Sequence, residues 1–178
     1  MFKLLMIATL LTVMTWTMPV VANEAAPLDL STQELRDSVG GWSVITEFLD
    51  EEGAVLKTAE GSYHFEWVVP DRVLRGKSSI PDMDMNSAIL FYISESREVI
   101  EMVSVGKDGK LWVMTGELGG DTRYTQMFET QSGGEAQLRF TRYNVVPEGF
   151  ESKMEYSDDG GATWKQGNHQ LFRRQQNN

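Results

Sequence analysis

The sequence predicts an all-β fold, an antiparallel up-and-down barrel or a sandwich, of about eight to ten strands preceded by one short helix. Three observations predict it. Everything after Trp42 reads as strands and turns, and Trp42 to Leu49 and Gly61 to Val69 alternate with a period of two, as half-buried strands do. Hairpin-length turns rich in Gly, Asp and Pro separate these stretches at regular spacing. One helical signal precedes them, and no other segment carries a 3.6-residue period. No internal repeat and no long linker divides the chain, so it reads as one domain.

Residues 1–22 read as an export signal. Lys3 precedes the apolar run Leu4 to Met14, Pro19 breaks it, and Val20-Val21-Ala22 offers small residues for cleavage. The run is short for a bilayer crossing of about 20 residues, so no membrane span is expected in the mature chain. The expected location is exported, periplasmic or secreted. Residues 23–39 read as a loose leader and a short helix. Ser31-Thr32-Gln33-Glu34 has capping-box spacing, Leu35 and Val39 share a face, and Gly40-Gly41 stops the helix.

The barrel or sandwich domain then spans 40–174. Trp42, Val44, Thr46 and Phe48 share one face of the first strand, and Asp50 to Gly53 turns the chain. Tyr63, Phe65, Trp67 and Val69 oppose Ser62, His64 and Glu66 in the second. Pro70-Asp71 leads into Arg72 to Gly76, and Ala88 to Ile93 pairs with Glu98 to Val105. Lys107-Asp108-Gly109 is a hairpin signal before Lys110 to Glu117. Thr122 to Thr130, Gln137 to Val145, Phe150 to Tyr156 and Trp164 to Arg174 follow, each after a Gly-containing turn. Residues 175–178 form a polar tail.

Composition excludes several functions. The 178 residues hold 16 Lys and Arg against 26 Asp and Glu, a formal charge of −10, with no basic stripe to neutralise phosphates. No nucleic-acid partner is expected. The absence of cysteine removes disulfides, thiolate metal sites and cysteine nucleophiles, so an exported chain must be held by its core.

Two motifs stand out. Gly40-Gly41-Trp42, at the junction of helix and first strand, satisfies a Gly-x-Trp pattern. Ser157, Asp159, Gly161, Thr163 and Trp164 fit the Asp-box pattern Ser-x-Asp-x-Gly-x-Thr-Trp, a hairpin clamp in which side chains satisfy turn amides. The single copy excludes a propeller and reads as structural. With Phe91-Tyr92-Ile93-Ser94 and the ending Phe172-Arg173-Arg174, these motifs resemble lipocalin-like, calycin-type families of small exported bacterial proteins. The resemblance runs from Gly40 to Arg174. It implies a calycin-type barrel with an internal cavity and no catalytic residues. It further implies that Trp42 plugs the closed end and that Arg173 or Arg174 packs across it by cation–π contact.

Candidate chemistry is sparse. No Gly-x-Ser-x-Gly elbow holds a serine nucleophile. His64 and Glu66 lie on one strand face, where a solvated pair is the simpler reading. Asp82 to Asn86 begins like a calcium loop but has Ser87 and Ile93 where the glycine and bidentate acid belong. Met83 and Met85 suit Cu(I) or, more simply, a loop laid over the barrel mouth. His169, near the end of the last strand, is placed like the iron ligand of nitrobindin-type haem barrels, and makes a haem protein one alternative. An acidic protein-interaction module is another. The favoured function is non-enzymatic, without cofactor or metal: binding of a small hydrophobic or amphipathic molecule inside the barrel. Its lining would be Trp67, Tyr92, Trp112, Met114 and Phe140, with Arg142 or Gln170 as polar anchors.

Overall fold

The computed structural model describes residues 25–130 and 132–175; the export signal read over 1–22 lies outside them. Helix α1 (Pro27–Ser38) begins four residues before the predicted capping box. Pro27 supplies the preset φ of a first helical turn, Asp29 and Arg36 complement the dipole at the two ends, and Ala26 makes no side-chain cap. Residues 27–30, read as a leader, are therefore helical. Ser31 and Thr32 lie mid-helix on a buried face shared with Glu34 and Leu35. Thr32 donates its hydroxyl to Leu28 O at 2.9 Å, and Ser31 Oγ accepts the Gly119 amide at 2.8 Å. Gly40, at φ +108°, turns the chain into the first strand.

Eleven strands follow: β1 (Gly40–Leu49), β2 (Val55–Val69), β3 (Val73–Ile80), β4 (Met85–Ser94), β5 (Val99–Gly106), β6 (Leu111–Glu117), β7 (Thr122–Thr125), β8 (Phe128–Glu129), β9 (Glu135–Val146), β10 (Gly149–Ser157) and β11 (Lys165–Arg174). All pairings are antiparallel. Neighbours in sequence pair from β1 through β7, β7 pairs β9, β9 pairs β10, β10 pairs β11 and β11 returns to β1. Ten strands thus close into a barrel, which settles barrel over sandwich and leaves those strands no free edge. The stretch 122–130, read as one strand, is two. β7 pairs with Arg139 to Thr141, and β8 pairs separately with Glu135 and Ala136. Among the described residues, no helix is long and apolar enough to cross a membrane.

Register fixes which side chains point inward. Trp42 lies opposite Tyr63 on one side and Arg174 on the other, Val44 opposite Gly61 and Phe172, and Thr46 opposite Ala59 and Gln170. The phase read for β1 therefore holds, and that for β2 holds as far as Trp67; past a register shift there, Val69 is exposed. Phe65 crosses Gly76, where an added Cβ would sit 2.4 Å from its ring, so this position needs glycine. The apolar core gathers at the α1 end: Leu35, Trp42, Phe65, Leu74, Phe91, Ile100 and Phe172 are buried together. Toward the other end the buried inward positions become small or polar, as at Ala59, Thr46, Ser152 and Asn168. The segment Asp82 to Asn86 is a tight connection, with a 3-10 turn over Pro81–Met83 and a left-handed Asp84 whose carboxylate meets Lys107.

Candidate functional site

The α1 end of the barrel combines a plug, a clamp, an inner chamber and an outer cleft. Trp42 is the plug. Its ring meets Phe150 and Phe172 edge-on, at 5.4 and 6.5 Å between centroids, and its Nε1–H donates to Ser38 O at 2.9 Å. Arg174, rather than Arg173, supplies the clamp: its guanidinium sits 4.4 Å from the Trp42 ring centroid. The same group donates to Val39 O at 2.9 Å and Asp37 O at 2.6 Å, orphan carbonyls at the helix C-terminus. A cation there suits the helix dipole, so one side chain ties the last strand to α1 and the first strand.

Beneath α1 lies a chamber of about 70 Å³. Its walls are mostly aromatic, among them Tyr63, Phe91, Phe140 and Phe150, with Glu34, Arg123 and Arg142 as its charged groups. Glu34 Oε2 accepts from Arg123 Nη2 at 2.6 Å, and both side chains are almost fully buried. Arg142 Nη1 stands 3.5 Å from Glu34 Oε1, while its Nη2 pairs at 3.1 Å with Asp121 on the surface. Arg123 also lies 5.1 Å over the Phe91 ring. Outside the chamber a cleft of about 290 Å³ runs between the end of α1 and the β9–β10 turn. Ser38, Arg142 and Phe150 belong to both linings and form the partition between them. Burial pushes the Tyr63 phenol above its ordinary range, against the opposing pull of Gln170 and Ser78.

Of the seven residues expected to line the interior, six point inward. Phe140 and Arg142 line the chamber. Trp67 packs on the core, and Met114 lies opposite Met102. Gln170 donates to Thr46 Oγ1 at 3.1 Å, deeper in the barrel. Trp112 sits at the opposite mouth, edge-on to Phe128 at 4.9 Å. Tyr92 is the correction. It is out of phase with buried Phe91 and Ile93, faces outward, and donates its hydroxyl to Glu101. Phe-Tyr-Ile is apolar at every position, so alternation there carried no phase information. Glu34, Arg123 and Phe150 join the chamber's lining without a signal in the sequence that marks them. Arg123 alternates with Tyr124 in a four-residue strand, too short to show a period, and Glu34 read as a capping acid.

His169 is also corrected. It lies opposite Glu47 and Lys153, on the outer wall, with Nδ1 at 3.1 Å from Glu47 Oε2 and Nε2 at 2.9 Å from Glu151 Oε2. Both ring nitrogens are engaged outside the barrel, so His169 does not fit an iron held within it. The Asp-box residues do form a clamp. Ser157 Oγ accepts the Gly161 amide at 2.8 Å, and Asp159 accepts the Thr163 amide and hydroxyl at 2.9 and 2.6 Å. Gly160 and Gly161 both hold positive φ. Trp164 is covered by Arg139, 4.3 Å from its ring centroid, and by Tyr124 at 5.9 Å.

This architecture is a closed, ten-stranded antiparallel barrel capped by one short helix. Among solved structures, the chain is similar to Rv2717c from M. tuberculosis, with a TM-score of 0.55 and 12% identity over 82% of this chain and 98% of that one. It also aligns with the S-type phycobiliprotein lyase CPES from Guillardia theta, at TM-score 0.49 and 10% identity over 84% and 98% of the two chains. A third alignment, to EF1p2_mFAP2b bound to DFHBI, gives TM-score 0.41 and 15% identity over 82% and 99%. At 12% identity the first likeness is one of fold alone. No protein-family model and no curated protein matches the chain.

Proposed function

We propose that the chain is an exported, lipocalin-like, non-enzymatic barrel that binds a small apolar or amphipathic molecule at its helix-capped end. The observation that carries this is the shared partition: an aromatic chamber and a surface cleft meet at Ser38, Arg142 and Phe150. Ligand sites are concave and mostly apolar, with a few polar groups that set orientation, and this end of the barrel is built that way. The chamber alone, about 70 Å³, holds about two waters' worth of volume at roughly 30 Å³ each. The greater part of a ligand would therefore occupy the cleft. Export rests on Lys3, the apolar run Leu4 to Met14 and the small residues before Asn23.

Native mass spectrometry of the purified protein, with calorimetric titration of 1-octanol and sodium octanoate, tests the reading. The expected result is a one-to-one complex that Val146→Trp, a change at the rim of the cleft, abolishes without altering circular dichroism. Absence of any complex by both methods overturns it. Cell fractionation with mass measurement tests export: recovery outside the cytoplasm with an N-terminus at Asn23 is expected, and recovery only in the cytoplasm with Met1 intact overturns it.

A further inference from the structure

We infer that the buried end of the ligand is a carboxylate, received by Arg123 and Arg142, with the apolar tail leaving through the cleft. This rests on the ligand-binding reading above and specifies its chemistry. Two guanidiniums and one carboxylate, Glu34, are the charged groups lining the chamber among the described residues. The second guanidinium, Arg142, balances its charge mainly on Asp121, which is more than half exposed and so screened by water.

An independent observation points the same way. Arg123 is 2% exposed, and its Nε is buried without a hydrogen-bond partner among the described residues. Arg123 Nη2 is already committed to Glu34, so the orphan N–H belongs to a guanidinium that an acceptor oxygen would satisfy. A buried donor without a partner lowers stability, and an anionic oxygen is the acceptor that a guanidinium binds most strongly. The chamber has room for a carboxylate group but not for a chain. Phe150 stands at the partition and Val145, Val146 and Pro147 continue along the cleft, giving an apolar path for a short tail.

Octanoate, 1-octanol and octylamine share a tail and differ in the head group, so their calorimetric affinities read the head-group preference directly. Octanoate should bind about tenfold or more tightly than 1-octanol, as a charge-assisted hydrogen bond would give, and octylamine should bind weakest. Arg142→Gln keeps the Glu34–Arg123 pair and so keeps the fold; it should reduce octanoate affinity about tenfold and 1-octanol affinity much less. Glu34→Gln removes the competing carboxylate and should strengthen octanoate binding, which a purely structural role for Glu34 would not do. Equal binding of octanoate and 1-octanol, both blocked by Val146→Trp, overturns the carboxylate assignment and leaves ligand binding standing. Binding of neither overturns both readings.

Discussion

The helix-capped end and the Asp-box hairpin are both stabilised by side chains on backbone groups, yet they are assembled differently. In the hairpin every clamp bond joins residues two or four apart. At the capped end, Arg123 reaches Glu34 across 89 positions, and Arg174 reaches Val39 and Asp37 across 135 and 137. A local clamp requires only that its own turn form. The capped end forms only when helix, first strand, mid-chain strand and last strand are together, so its contacts report closure of the whole barrel.

That contrast can be broken by substitution. The largest effect is expected at Trp42→Ala, which deletes a buried ring, the bond to Ser38 and the seat of Arg174. A loss of about 3–5 kcal/mol in urea denaturation is expected, near the top of that range. Arg123→Met leaves Glu34 buried with Arg142 at 3.5 Å as its remaining cation. The loss should fall toward the lower end of about 3–5 kcal/mol, and the double variant Glu34→Leu/Arg123→Met should be more stable than Arg123→Met alone.

His169 stands between the two regions: its contacts are long-range like those of the capped end, but it is partly exposed like the hairpin. Partial burial pushes its imidazolium down, but Glu47 and Glu151 outweigh this and raise it above the ordinary 6.5. A raised folded value means stability that is fully present below about 6.5 and lost as pH rises through that higher value. Melting temperature should therefore decline from pH 6 to pH 8, and His169→Gln should remove that component of the slope. The smallest global effect is expected at Asp159→Ala. Thr163 and Ser157 hold this carboxyl far below its usual range, yet it sits at the surface. Amide exchange should accelerate at Thr163 while amides of β1 stay protected, as measured by native-state hydrogen exchange.

The same contrast explains what could be read from the residues. Ser157 to Trp164 was legible because its partners are written next to one another, and the β1 and β2 faces because their alternation runs over several residues. The start of α1 was misplaced because Ser31 and Glu34 have capping spacing but face the barrel, a choice made by Gly119 and Arg123 far along the chain. Tyr92 failed through an apolar run with no phase. Of the chamber's three charged groups one was legible: Arg142 stands in a twelve-residue strand, whereas Arg123 stands in one of four and Glu34 lies on the helix.

The pairing of β1 with β11 has a consequence for how the protein is made. Ser43 and Arg173, hydrogen-bonded neighbours in the wall, are 130 residues apart. During synthesis β1 therefore presents an open row of amides and carbonyls while the intervening strands emerge, and only β11 can cover it from within the chain. An unfinished polypeptide carries a sticky flank that the finished one hides. Chaperone dependence and misassembly should thus concentrate in nascent chains that stop short of Arg174.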